Sequence, residues 1–298
     1  MKIDGYTRVC GLIGNPVEHT MSPVIHRYLA EKTSQNMAYV PMRVEHGKLE
    51  DAVKGAFALN VLGLNITVPY KTEVIPYLSS IDDAAKQIGA VNTLVRTREG
   101  FKGYNTDMPG LYRAMLSDGV KLDGESVLVL GAGGVARAVL MMLVAHNIRE
   151  VIVINRTKER AEAVADEVNV TLGRKIVRTL ALTEYNSLPA DRKYLAIQAT
   201  NVGMFPHDQE TLIEEEGFYK KIHTGYDLIF NPFETKFMKL TREAGGKAFN
   251  GLKMLLYQGI IAYELWTGES ITEDMARGCY EEVCENMHMN NGDSRDER

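Results

Sequence analysis

From Val127 to about Phe249, short apolar runs alternate with stretches whose apolar residues recur at helical spacing. The runs 127–130, 151–154, 176–179, 194–198, 226–230 and 247–249 predict strands, with helices between most of them. Within Gly134 to His146 the sets Val135, Val139, Leu143 and Ala136, Leu140, Val144 define a helix, and Asn147 is its stop. The β-branched run Val151-Ile152-Val153-Ile154 is what a strand buried on both faces of a parallel sheet requires. Six strands in this rhythm predict a doubly wound α/β domain.

A separate α/β domain precedes it. Val9 to Ile13 reads as a strand, and Ser22-Pro23 as an N-cap with proline at the first helical position. The helix that follows runs through Val24, Ile25, Tyr28 and Leu29. Leu62, Leu64, Ile66 and Val68 alternate with Gly63, Asn65 and Thr67 up to Pro69, so Asn65 and Thr67 share one face of a strand. Beyond the alternating segment, 251–267 and about 272–287 read as helices, with Ser270 and Glu273 as a capping box for the second. The domains expected are 1–106 and 107–250, with a polar tail, 289–298, expected to be disordered.

Composition narrows the classes. A chain of 298 residues suits two domains. Its formal net charge of −5 argues against a nucleic-acid surface, although a few local residues can still capture an anionic ligand. No apolar run reaches membrane-spanning length, and MKIDGYTRV lacks the apolar core of a signal peptide. Cys10, Cys279 and Cys284 form neither a disulfide framework nor a metal motif, which fits reduced thiols in a cytoplasmic protein. No metal is expected.

The first strand of the second domain ends in Gly131-Ala132-Gly133-Gly134-Val135-Ala136, where Gly131, Gly133 and Ala136 hold the spacing of the dinucleotide-binding fingerprint of a Rossmann domain. The first glycine makes the turn, and the second lets backbone approach a pyrophosphate. The third, small residue lets helix pack on strand, and the helix N-terminus receives the charge. At the end of the next strand, where an NAD enzyme places a carboxylate for the ribose, stand Asn155, Arg156 and Thr157, with Arg160 one turn on. A carboxylate repels a 2′-phosphate, whereas guanidiniums and a hydroxyl bind one. NADP is therefore the expected cofactor. The alternative for Arg156 and Arg160 is a solvated helix start.

Four polar clusters fall at strand ends of the first domain: 15–23, 65–71, 89–93 and 103–107. Alone, Ser22 is a helix cap and Lys71 a surface lysine. Together they suit reduction of a ketone on a polyhydroxylated ring. Hydride addition creates an alkoxide, to which a lysine ammonium can give a proton, an ammonium being a stronger acid than an alcohol. An aspartate beside it can hold the ammonium and accept a hydroxyl.

The motifs Gly14-Asn15-Pro16, His19 to Pro23, Asn65 to Lys71, Gly89 to Thr93, Asn105 to Asp107, Gly131 to Gly134, Asn155 to Thr157 and Ala199 to Met204 occur in this order, as do Tyr226-Asp227, Asn231-Pro232 and Gly251 through Gln258. Over nearly the whole chain they resemble the shikimate dehydrogenase family. The resemblance implies NADP-dependent, reversible reduction of 3-dehydroshikimate to shikimate, on the path to chorismate and the aromatic amino acids. It implies Lys71 and Asp107 as the catalytic pair, and Thr20, Ser22, Asn65, Thr67, Asn92, Tyr226 and Gln258 as substrate residues. The cofactor falls to Gly131, Ala132, Gly133, Gly134 and Val135, to Asn155, Arg156, Thr157 and Arg160, to Thr200, Asn201, Gly203 and Met204, and to Gly251, Asp83 and Thr224. It further implies that 251–288 packs back onto the first domain and that the substrate is a small molecule; a monomer or homodimer is expected, the sequence itself carrying no sign of which. Gln258 is a polar residue on the apolar stripe of Leu255, Ala262 and Leu265, calling for a substrate hydroxyl or a backbone bond.

The chain departs from the family pattern at Thr20 (usually Ser), Gln198 (usually Asn), Met108-Pro109 (usually beginning with Gly) and Phe230 (usually Tyr). Thr20 adds a methyl beside the expected carboxylate, where quinate is bulkier than shikimate. The alternatives are therefore a quinate/shikimate dehydrogenase with relaxed cofactor use, or a cofactor-binding regulator without turnover. The regulator would be expected to lack Lys71 or Asp107, and both are present.

Overall fold

The computed structural model describes residues 3–293, with side chains through residue 287. The chain divides into two units: residues up to Leu111 together with those from Leu255 onward, and Tyr112–Met254. The crossing points lie a few residues beyond the 106/107 and 250/251 boundaries read from the sequence. Among the described residues no helix is long and apolar enough to cross a membrane.

The first unit is built on a mixed six-stranded sheet in the order β2-β1-β3-β5-β6-β4. The strands are β1 (Arg8–Gly14), β2 (Met37–Arg43), β3 (Gly63–Ile66), β4 (Ser80–Ile81), β5 (Thr93–Arg96) and β6 (Phe101–Tyr104). Strand β1 runs parallel to both β2 and β3, and β5 runs antiparallel to β3 and β6. Helices α1 (Ser22–Lys32), α2 (Leu49–Ala58) and α3 (Asp83–Ile88) lie between them, and α4 (Asp107–Ser117) follows β6 and runs on past Leu111. Ile13, Leu64, Ile66, Val91, Leu94 and Phe101 form a core against Leu49 and Val53 of α2.

The second unit carries a parallel sheet in the order β12-β11-β10-β7-β8-β9. Its strands are β7 (Ser126–Leu130), β8 (Glu150–Asn155), β9 (Val177–Ala181), β10 (Tyr194–Gln198), β11 (Ile222–Asp227) and β12 (Lys247–Phe249). Helices α5 (Gly134–Val144), α6 (Lys158–Leu172), α7 (Glu216–Tyr219) and α8 (Lys236–Glu243) lie between them. This is the doubly wound order, reversing between β7 and β10, and a ligand is received at the carboxyl ends of the strands at that reversal. Two loops leave there, at Gly131 and at Ala199.

Helices α9 (Leu252–Thr267) and α10 (Glu273–Asp293) belong to the first unit beyond residue 254. Trp266 Nε1 donates to Leu94 O at 2.9 Å, and Arg27 pairs with Glu282 at 2.7 Å. A Cβ on Gly63 would fall 2.1 Å from the indole nitrogen, so the ring lies directly over a strand that only glycine leaves flat enough.

Several expectations shift. The strand expected at 226–230 lies at Ile222–Asp227, because Asp227 Oδ1 accepts from Ile229 N at 3.0 Å and turns the chain out of the sheet. The cap position of α1 is Met21; the Ser22 N–H instead meets Thr20 Oγ1 at 3.2 Å. Glu273 is engaged by Tyr257 OH, so α10 is capped by Thr272 Oγ1, which accepts from Met275 N, and not by the Ser270 box. The strand read as 62–68 stops at Ile66; Thr67 N still donates to Ile13 O, and Thr67 O accepts from Tyr70 N to close the turn that follows. Helix α10 continues to Asp293, past the start of the expected disordered tail; residues 294–298 lie outside the described residues.

Candidate active site

In the first unit, Lys71 and Asp107 meet: Nζ donates to Asp107 Oδ2 at 2.7 Å. Both side chains are partly sheltered, at 33% and 18% exposure, so solvent reaches the pair without swamping it. The backbone holds each in place. Lys71 O accepts from Val91 N at 2.8 Å, and the preceding Tyr70 is anchored through its buried hydroxyl to Val44 O. Asp107 opens α4, where Asn105 Oδ1 accepts its N–H at 3.1 Å, and Asn105 Nδ2 is tied to Ala90 O. Asp107 Oδ1 makes no bond among the described residues.

Around this pair is a network of buried polar side chains. Tyr39 OH donates to Asn65 Oδ1 at 2.8 Å, and Asn65 Nδ2 donates to Thr93 Oγ1 and to Asn92 O. Asn92 Oδ1 accepts from Thr106 N at 2.7 Å, and Asn92 Nδ2 donates to Thr106 Oγ1. Thr20 Oγ1 donates to Ser22 Oγ at 3.1 Å, while the Thr67 hydroxyl has no partner among the described residues. His26 stacks on Tyr39 with ring centroids 4.2 Å apart, and both its nitrogens are buried without a bond. Burial pushes the His26 pKa down to about 3, so it is a neutral ring behind the tyrosine.

Gln258 Nε2 donates to the backbone at Leu255 O, 2.8 Å away, while its Oε1 has no partner among the described residues. Asp83 is exposed in the first turn of α3 and so belongs to the first unit. Tyr226 and Thr224 are on β11 in the second unit. Tyr226 is fully buried and its hydroxyl donates to Asp118 Oδ2 at 3.2 Å. Thr224 Oγ1 lies 2.9 Å from His223 Nδ1. Gly251 N donates to Ile229 O, and a Cβ there would fall 2.2 Å from Leu228 O. Tyr39, Thr93 and Thr106 were not singled out from the sequence. Thr93 and Thr106 lie inside quoted motifs but resemble ordinary strand-end threonines, and Tyr39 lies on an edge strand with no alternation to reveal it.

In the second unit the residues fit a dinucleotide. Gly131 adopts φ +109°, and a Cβ there would strike Thr200 Cγ2 at 2.4 Å. Beyond it, Cβ atoms on Gly133 and Gly134 would meet nothing within 4 Å, leaving the N-terminus of α5 open. That helix has neither a capping side chain nor an acidic residue in its first turn, so its dipole and the N–H groups of Gly134 and Val135 are open to an anion, while Ala136 N donates to Gly133 O. After β8, Asn155 Nδ2 folds back onto Thr157 O at 2.7 Å. Arg156 and Arg160 are exposed with no partner among the described residues, and Thr157 begins α6 without a side-chain cap. Glu159 stands in that same first turn. After β10, Gln198 staples the third loop: its Oε1 accepts from both Thr200 N and Thr200 Oγ1 at 2.7 Å, and its Nε2 donates to Val202 O. Gly203 follows at φ +93° and Met204 is exposed.

Comparison with known proteins is consistent with this geometry. Residues 12–94 match the shikimate dehydrogenase substrate binding domain, 114–191 the shikimate / quinate 5-dehydrogenase model, and 251–271 the shikimate 5'-dehydrogenase C-terminal domain. A shikimate dehydrogenase (NADP(+)) of Desulforamulus reducens is 40% identical over 281 residues, covering 93% of this chain and 95% of that one. The chain belongs to the shikimate dehydrogenase family. A crystal structure of a shikimate dehydrogenase in complex with NADP+ superposes with a TM-score of 0.86 at 34% identity, covering 96% of this chain and 97% of that one. A quinate dehydrogenase from Corynebacterium glutamicum in complex with NAD superposes at 0.83 with 30% identity, covering 94% and 99%.

Three of the four departures from the shikimate dehydrogenase pattern find a place, and nothing in the structure explains Phe230. Gln198 is buried and uses its longer side chain to hold Thr200 and Val202. Pro109 sits in the first turn of α4, where no intrahelical N–H bond is lost, and Met108 is buried beside it. Thr20 keeps the hydroxyl contact to Ser22 that a serine would make.

Proposed function

We propose that this chain catalyses the NADP-dependent, reversible reduction of 3-dehydroshikimate to shikimate. The observation that carries the reading is the Lys71–Asp107 pair at 2.7 Å, set among buried amides and hydroxyls of the first unit. The cofactor, when bound, supplies hydride to the ketone carbon. Lys71 gives its ammonium proton to the ketone oxygen as negative charge develops there, and takes it back in the reverse direction. Asp107 holds the ammonium through Oδ2 and offers Oδ1 to a ring hydroxyl. Thr20 and Ser22 present hydroxyls to the substrate carboxylate, and Asn65, Thr67, Asn92 and Gln258 read the ring. In the second unit, the open N-terminus of α5 at Gly131 to Val135 takes the pyrophosphate. Arg156, Thr157 and Arg160 take the 2′-phosphate, and Thr200 to Met204 with Gly251 line the nucleotide further along. A cytoplasmic location is part of the proposal, supported by three free cysteines.

A second reading, activity on quinate, is supported by the likeness to a quinate dehydrogenase, with Thr20 leaving the choice open at the carboxylate pocket. The deciding experiment follows reduced-nicotinamide absorbance with shikimate or quinate, each with NADP or NAD. Signal with shikimate and NADP alone supports the first reading. Equal or greater signal with quinate moves the protein to the broader activity, and silence from folded protein refutes both.

A further inference from the structure

Resting on the first unit as the substrate site, a further residue can be assigned from proton counting. An amide discriminates a hydroxyl donor from an acceptor only if its oxygen and nitrogen ends are held apart. Thr93 stands fully buried at the start of β5, between the two asparagines expected to face the ring. Its Oγ1 accepts from Asn65 Nδ2 at 3.1 Å, donates to Asn92 Oδ1 at 3.1 Å, and lies 3.1 Å from Thr106 Oγ1. Thr106 Oγ1 accepts from Asn92 Nδ2 at 3.1 Å.

Each hydroxyl owns one proton. Asn92 Oδ1 already takes the Thr106 N–H at 2.7 Å and the Thr93 hydroxyl, which fills both its lone pairs. The Thr106 proton therefore turns to Thr93 Oγ1 and away from Asn92 Oδ1, 3.2 Å off. The result is a one-way ring: Asn92 Nδ2 to Thr106, Thr106 to Thr93, Thr93 to Asn92 Oδ1. One Asn92 amide proton is left over. Asn65, by contrast, spends both amide protons, on Thr93 and on Asn92 O at 3.3 Å, and receives Tyr39 OH at Oδ1, leaving one lone pair.

The geometry points to Thr93 as a positioning residue that ties the two amides together and keeps the spare Asn92 N–H and the spare Asn65 lone pair aimed at the hydroxyls of the substrate ring. Backbone sets each amide's polarity, the Thr106 N–H at Asn92 Oδ1 and the Asn92 carbonyl at Asn65 Nδ2, and the buried hydroxyl between the two side chains fixes where their ends point. Without it, each amide keeps its polarity but loses the contact that holds its angle.

Steady-state kinetics of wild type, Thr93→Val and Thr93→Ser with shikimate and NADP test this. Valine keeps the shape and removes the hydroxyl, while serine keeps the hydroxyl. The Val variant should raise KM for shikimate about tenfold, the effect of one lost oriented hydrogen bond, with KM for NADP unchanged and kcat within about threefold. The Ser variant should keep the wild-type KM. A Val variant with unchanged shikimate KM, or Val and Ser variants raising it alike, overturns the assignment. A merely structural role would lower the melting temperature without separating the two KM values. If Thr93→Val does not fold, the same split is expected between Thr93→Ser and Thr93→Ala. Wild type inactive on shikimate removes the substrate reading and this inference with it, a result distinct from an active wild type whose Val variant is silent on KM.

Discussion

Replacing Arg156 and Arg160 together by alanine tests the cofactor assignment at its most exposed point. A guanidinium–phosphate contact is a charge-assisted bond of about 1.5–3 kcal/mol when sheltered. Both side chains are exposed, so solvent screening brings each nearer about 1 kcal/mol, or about 2 kcal/mol for the pair. That corresponds to about a 30-fold rise in KM for NADP. NAD carries no 2′-phosphate, and its KM should change by less than about threefold on the same argument. Because neither arginine has a partner among the described residues, no bond of the free protein is lost and the melting temperature should stay put. The assay is kcat/KM with each cofactor at saturating shikimate, alongside thermal melting without nucleotide. Equal weakening of NADP and NAD, or a fall in melting temperature that tracks the kinetic loss, would refute the reasoning.

Lys71→Ala should lower kcat by about 100- to 10,000-fold, the range for losing a general acid–base, and a loss below tenfold from folded protein would count against the proton-donor role. Burial pushes the Asp227 pKa up to about 7, against the bonds from Thr235 and Ile229 that favour its charge. The unfolded chain therefore loses this proton at lower pH than the folded one, and stability falls as pH rises from about 4 to 7. Asp227→Asn should flatten that slope in urea midpoints taken at pH 5 and 8; identical slopes for variant and wild type would remove Asp227 as its source. Gly251→Ala forces a methyl to within 2.2 Å of Leu228 O, where the obstacle is backbone. A melting temperature within a degree or two of wild type would show that the 228–251 contact yields easily.

The nucleotide unit was far more legible in the sequence than the substrate unit, for a physical reason. Strands β7, β8 and β10 are buried on both faces of a parallel sheet, so they appear as unbroken apolar runs flanked by glycine or helical spacing. Strand β2 is an edge carrying Pro41, and β5 and β6 are four-residue strands joined through the Thr97–Gly100 turn. None leaves a period to detect. Lys71 and Asp107 were identifiable through their motifs, but their 2.7 Å contact spans 36 positions and no local pattern encodes it. Thr93 is harder still, because its role depends on which way three neighbouring protons point. Strand β11 was misplaced because its polar start, His223-Thr224-Gly225, gains its β character only by lying between β10 and β12.

The substrate unit is interrupted in the chain by the whole nucleotide unit, and this has a bearing on synthesis. The first hundred or so residues leave the ribosome with Gly63 and Leu94 lacking the indole that covers and bonds them, since Trp266 is 172 positions beyond Leu94. Arg27 waits longer, its partner Glu282 being 255 positions away. The inserted Rossmann sheet, by contrast, has all its strands within one continuous stretch and can close before that wait ends. The half of the molecule that was written first is thus completed last, and during elongation its unfinished surface is what a chaperone or protease would meet.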